Sequence, residues 1–336
     1  MTRNPNTHTK LWQAGQSATY PELEQLVDSF EGILKRFGIS IQSGSELEKA
    51  CLSVRVLMNK NQNPHICDLQ EDIRHEFREA LGIWVFLRQI VRLKDHVCFP
   101  QFAPHLEILN KGTVVQNTRL PVCREATNKI FELLFALALL DLSDEVVLDH
   151  PSSAKGDNPD VLATIDGRCW GFACKTIYGS SGRTFYDNLK KGVEQIEVAP
   201  KAQVGIVLIN FRNIINHDKC WSIENEAEYR NGAEPIFSAY ESPEKFVASY
   251  VSEVVAQKHN QVVAEVGLPD IMELFSGKKA LPGYLAYCPT CTGRVTAQGP
   301  VPRSINMLGV GEFGDIKPYR GVIEKINTAL HECVQK

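Results

Sequence analysis

The sequence of 336 residues has no apolar stretch long enough to cross a bilayer. Its most apolar run, Ile130 to Leu140, is interrupted by Glu132 and falls short of the about 20 residues a spanning helix needs. The first residues, Met1 to Gln16, lack the apolar core of an export signal, so a cytoplasmic protein with no membrane partner is expected. Neither charge dominates: Lys and Arg number 36 against 40 Asp and Glu, a net −4, so a polyanion would have to be met by a local basic surface. The nine histidines form no HExxH and there is no GxSxG elbow, which removes two hydrolase signatures. Internal repeats and low-complexity stretches are also missing. Of the 10 cysteines only Cys288 and Cys291 are closely spaced, and no second CxxC supplies the other two ligands of a zinc site. The thiols therefore read as reduced and mostly buried.

What is present is ordinary globular composition, 43% hydrophobic and 23% charged, with enough length for one large core or two modest ones. Three amphipathic helices occupy the first third. Pro21 in a first turn, Leu23, Leu26, Val27, Phe30, Leu34 and Phe37 on one stripe, and Gly38 beyond them predict the first. Ser45 and Glu48 form a capping box for the second, which carries Leu47, Cys51, Val54 and Met58. The third runs from about Asp68 to Lys94 with Phe77, Leu81, Trp84, Leu87 and Val91 at helical spacing. These stripes can bury one another, which predicts an all-helical N-terminal domain over 1–122 and a second domain over 123–336. Pro100, Pro104 and Pro121 mark the connector. Arg74, Arg78, Arg88 and Arg92 on the third helix either line a phosphate backbone or, interleaved with acids, form a solvated or partner-facing surface.

The chemistry is expected after residue 124. Asn128 to Leu142 is apolar nearly all round a helix, so Glu132 is an acid in apolar company, costly unless paired or bound to a cation. Its simplest partner is Lys129, three residues earlier. Strand signals follow at 145–148, 161–165 and 168–176, with Asp166-Gly167 as a hairpin turn between the last two. A helix at about 183–198 and an apolar strand at 204–210 complete the order helix, three strands, helix, strand. Alternation on the strand at 168–176 puts Trp170, Phe172 and Cys174 on one face and Gly171, Ala173 and Lys175 on the other. Asp160 opens the hairpin, so it and Lys175 meet at its open end. An Asp to hold a hard cation and a Lys to orient a water make a workable set for phosphodiester hydrolysis.

Pro159-Asp160 followed by Gly171-Phe172-Ala173-Cys174-Lys175, in that frame of elements, resembles the PD-(D/E)xK nuclease superfamily over about residues 124 to 211. The resemblance implies an α/β, restriction-endonuclease-like αβββαβ core. It implies Mg2+, or Mn2+, held by Asp160 and by an acid two residues before Lys175, with the backbone carbonyl of Cys174 completing the shell and Lys175 assisting the attacking water. Glu132, as a possible further metal ligand, and Gln195 correspond to recurrent helpers on the flanking helices. The departure is at 173, where the pattern asks for Glu or Asp and this chain has Ala173. Inactivation of an otherwise intact motif, a natural pseudo-nuclease, and an active variant with its acid moved to Glu132 or Asp166 are the three readings; inactivation is favoured because one change, to Phe-Glu-Cys-Lys, restores the motif.

On the helix after the hairpin, Asn188, Lys191 and Gln195 share a polar line that either touches substrate phosphates or is the domain rim. Gly309 to Gly314 spells GxGxxG, yet Asp315 to Pro318 intervene where a helix should open, so these glycines read as a loop after a late strand. Gly179-Ser180-Ser181-Gly182 reads as a flexible turn beside the site. The tail predicts helices at about 243–266 and after Pro318 and a strand near 284–287. The expected function is a metal-dependent nuclease, acting on DNA first and suited to bacterial defence, with the helical domain for dimerisation or a partner protein. Its rival is a catalytically silent nucleic-acid-binding or scaffold protein.

Overall fold

The computed structural model describes residues 12–16, 20–62, 74–120, 122–153, 158–221, 243–296 and 299–335. Among these, the helices are α1 Tyr20–Arg36, α2 Glu46–Gln62, α3 Arg74–Leu93, α4 Ala103–Glu107, α5 Glu125–Leu139, α6 Gly182–Val198, α7 Pro243–Val266, α8 Leu268–Phe275 and α9 Arg320–Gln335. The strands are β1 Trp12–Gln16, β2 Val146–Leu148, β3 Val161–Ile165, β4 Arg168–Thr176, β5 Val204–Asn210, β6 Ala280–Thr296 and β7 Gly299–Glu312. The fold is mixed α/β around one open mixed sheet in the order β1-β7-β6-β5-β4-β3-β2. β4, β5 and β6 run parallel, and the flanking strands join antiparallel. As the inner strand of the parallel group, β5 is buried along its whole length, which is why Val204 to Asn210 reads as a continuous apolar run rather than an alternation.

Alternation divides the core into two layers. Trp170, Phe172 and Cys174 of β4 join Ile206 and Leu208 of β5 in the layer covered by α1, α2, α3, α5 and α9. Ala173, Val207 and Ile209 face the other layer, under α6, α7 and α8. The turn between β3 and β4 has Asp166 at φ 52° and Gly167 at φ 73°, so the Asp-Gly pair supplies the left-handed residues a tight hairpin turn requires. At the start of α2, Ser45 Oγ accepts from the Glu48 N–H at 3.1 Å, and the Glu48 carboxylate reaches back to the Gly44 N–H.

Three expectations need correction. The first third is not all helical, because β1 adds to the sheet edge against residues 304–308 of β7. The connector expected at Pro100 and Pro104 is packed: Phe99, Phe102, Leu106, Leu109, Val114 and Val115 are buried in the same apolar layer as α1 to α3 and α5. The 122/123 division thus marks a change of architecture inside one continuous core; three helical stripes left α3 with apolar surface to spare, and the sheet and α5 take it up. Gly309 and Gly311, third, lie within β7 rather than in a loop. A Cβ on Gly311 would sit 2.1 Å from the Tyr284 ring, so that glycine serves close packing between β6 and β7. The beginning of the third predicted helix, before Arg74, and Pro121 lie outside the described residues.

Candidate active-site cleft

The site arises where β4 outruns β3. The ladder between them ends at Val161 opposite Phe172, so beyond it the backbone of Cys174 has no β3 partner. The Asp160 side chain takes that place: its Oδ2 accepts from the Cys174 N–H at 2.7 Å. Lys175 curls back along its own strand and donates from Nζ to the Cys174 carbonyl at 3.1 Å and to Asp160 Oδ2 at 3.4 Å. On the far side of the same carboxylate, Lys129 of α5 lies 3.8 Å from Asp160 Oδ1 and 2.9 Å from Glu132 Oε2.

These groups open onto a cleft of about 580 Å³ lined by α5, by Asp149, Ser153, Asn158 and Asp160, by the end of β4 with Tyr178 and Gly179, and by α6. Asn188, Lys191 and Gln195 line the α6 wall. Gln195 Nε2 donates to the Asn158 carbonyl at 3.3 Å, while its Oε1 is buried without a hydrogen-bond partner among the described residues. Asn188 donates back to the Thr184 carbonyl. Tyr178 donates to Asn128 Oδ1 at 3.1 Å across the mouth. The α6 N-terminus is already capped, by Ser181 Oγ on the Thr184 N–H and by the Glu265 carboxylate on the Arg183 N–H.

Burial, reinforced by the Asp160 carboxylate, pushes Glu132 up to about 8 against the pull of Lys129 and Lys175. Lys129 is raised as well: burial alone would lower it, but Glu132 and Asp160 hold its ammonium above the usual value. The Cys174 thiol, raised by burial and by both acids, stays protonated and is no nucleophile. Burial likewise raises Tyr178 to about 12. Among the lining residues acids outnumber lysines, with Glu125, Glu132, Asp149, Asp160 and Glu194 against Lys129, Lys175 and Lys191.

Glu132, Asp160, Cys174, Lys175, Asn188, Lys191 and Gln195 therefore share one cleft, and Ala173 does not line it. Ala173 is fully buried on the α6 side of β4, beside Val207. A Cβ on Gly192 would lie 3.3 Å from that of Ala173 and 2.8 Å from the Val207 methyls, so this glycine lets α6 ride directly over position 173. Asp166 sits at the opposite end of the hairpin, six residues or about 20 Å of strand from Asp160, paired with Lys325 of α9. It is out of reach of Asp160 and Lys175. Of the arginines on α3, Arg92 makes two hydrogen bonds to Asp141, Arg78 pairs with Asp218, and Arg88 lies over the Trp84 ring; the Arg74 side chain is outside the described residues. Cys288 and Cys291 belong to opposite core layers and cannot share a ligand.

The sequence reading missed Asp149, Tyr178 and the second contact of Lys129. The i, i+3 spacing shows Lys129 beside Glu132, but only the packing of α5 on β4 brings it to Asp160. No three or more His, Cys, Asp or Glu side chains among the described residues form a metal-ligand group. Ala173 offers no oxygen, Lys175 claims the Cys174 carbonyl, and Lys129 stands between the two carboxylates. The residues of this chain do not fit a resident divalent ion. No family model, curated protein or solved structure matches the chain.

Proposed function

We propose that the cleft is a phosphodiester site of the PD-(D/E)xK nuclease type, for DNA in the first instance, in which Ala173 in place of the second acid leaves strand binding and removes most hydrolysis. The observation that carries this reading is the joint grip of the Cys174 N–H and the Lys175 ammonium on one Asp160 oxygen at the open end of the hairpin. Lys175 is placed to orient a group beside Asp160. Lys191, exposed and without an ion pair among the described residues, and Asn188 on the same helix face are placed to meet backbone phosphates. Because acids outnumber lysines in the cleft, binding is weak and sensitive to salt.

An acid at 173 would give Mg2+ or Mn2+ a second carboxylate beside Asp160, and the ion would supply an activated water. Position 173 lies under Gly192 of α6 and beside Val207, so a Glu there reaches the ion only by extending along β4 toward Lys175. The test is the Ala173→Glu protein with Mg2+ on a panel of DNA and RNA substrates. The expected result is Mg2+ binding by calorimetry and cutting, with cutting abolished by Lys175→Ala in the same background while binding persists. A folded Ala173→Glu protein that binds no Mg2+ and cuts nothing overturns the nuclease reading and leaves a binding module or scaffold.

A further inference from the structure

We propose that the Lys129 ammonium is a tethered cation occupying a divalent-ion position between the Glu132 and Asp160 carboxylates, and that neutralising this one side chain opens the position to a metal. The placement is specific. Lys129 Nζ is 2.9 Å from Glu132 Oε2 and 3.8 Å from Asp160 Oδ1, and the three side chains are only 14%, 5% and 7% exposed. Surface lysines pair with acids in high dielectric and gain little; here both acids are withdrawn from water and need a positive charge beside them.

A divalent ion held by the same oxygens would sit about 2.0–2.5 Å from each. Lys129 Nζ already lies between the two carboxylates an ion would draw on, so the two cations exclude each other by charge. The cleft around them favours cation uptake, since five of its eight ionisable Asp, Glu and Lys side chains are acids. Lys129 approaches Asp160 from Oδ1, whereas Lys175 approaches Oδ2. The proposal shares Asp160 and Glu132 with the nuclease reading, and its test keeps Ala173 and omits nucleic acid, so that failure of one is distinguishable from failure of the other.

The experiment keeps Ala173 and uses Mn2+ alone, with no nucleic acid, in calorimetry and thermal unfolding. The protein as it stands is expected to show neither saturable Mn2+ binding nor a Mn2+-dependent rise in Tm. Lys129→Met, of similar length and uncharged, is expected to bind Mn2+ at least about tenfold more tightly, the scale on which neighbouring groups tune metal sites, and to gain Tm with Mn2+. Adding Glu132→Gln should cancel both gains. Lys129→Arg, which keeps the charge, should remain blind to Mn2+ and guards against a fold lost in the Met variant; if Lys129→Met folds only when Mn2+ is present, that supports the proposal. Equal Mn2+ binding by the unmodified protein and by Lys129→Met, or Mn2+ binding by Lys129→Arg, overturns it. So does a folded Lys129→Met protein that binds none.

Discussion

The two ends of the β3–β4 hairpin carry the same pair of residue types and do different work with them. At the closed end Asp166 pairs with Lys325, and both side chains are about half exposed, at 51% and 50%. At the open end Asp160 pairs with Lys175 at 7% and 15% exposure, with a second lysine and a second acid in contact and two backbone polar groups of Cys174 drawn in. Water screens the first pair, which is worth little. The second is enclosed, so each charge is answerable to its neighbours: Glu132 is pushed up and Lys129 is held charged. Chemistry in this hairpin depends on which end α5 and α6 close over, rather than on the residues alone.

Removing the acid from each end should show this difference at its largest. Asp160→Ala strands two lysines and the Cys174 N–H, and is expected to cost about 3–5 kcal/mol by denaturant unfolding. An Asp160→Ala protein as stable as the parent would mean that the open end is solvated like the closed one. Acid titration should sharpen the contrast next. His105 of α4 is buried, and burial, with Lys129 and His150 adding to it, lowers it to about 3 from an ordinary 6.5. The unfolded chain then binds the extra proton between those values, so this contribution to stability is complete above pH 6.5 and falls by about 1.4 kcal/mol per pH unit as the pH drops through that window. His105→Leu should flatten the slope, measured as Tm against pH.

Gly192→Ala probes the wall of the open end without touching a charge. Its Cβ would meet the Val207 methyls at 2.8 Å and Ala173 at 3.3 Å. A loss of about 1–3 kcal/mol is expected from overpacking, and an unchanged Tm would show that α6 does not ride closely over position 173. The smallest effect belongs to the closed end. Asp166→Asn keeps a residue that tolerates φ 52° and removes only the exposed ion pair with Lys325, so a change of about 0.5 kcal/mol or less is expected. A larger loss would erase the distinction between the ends.

Much of this was legible in the chain. The stripes of α1, α2 and α3, the Ser45–Glu48 cap, the Asp-Gly turn and the alternation along β4 are local patterns with periods of 3.6 or 2, and local patterns survive folding. Glu132 stood out for the same reason, as one acid on a helix otherwise apolar. Less legible were features that depend on which surfaces meet. Nothing in Trp12 to Gln16 announces that it pairs with β7, and the apolar surplus of α3 could not say that the sheet and α5 would absorb it.

The candidate site divides along the same line. By itself the sequence determined that Asp160 and Lys175 lie at the open end of one hairpin, that Lys129 and Glu132 share a helix face, and that Ala173 shares a strand face with Lys175. Only the tertiary structure decided that α5 packs with Lys129 against Asp160, that Asp166 is out of reach, and that Ala173 lies under Gly192 rather than in the cleft. The physical reason is reach: hydrogen-bonded ladders and helical turns fix neighbours within a few residues, while the dielectric around a carboxylate is set by elements far apart in the chain that exclude water from it together.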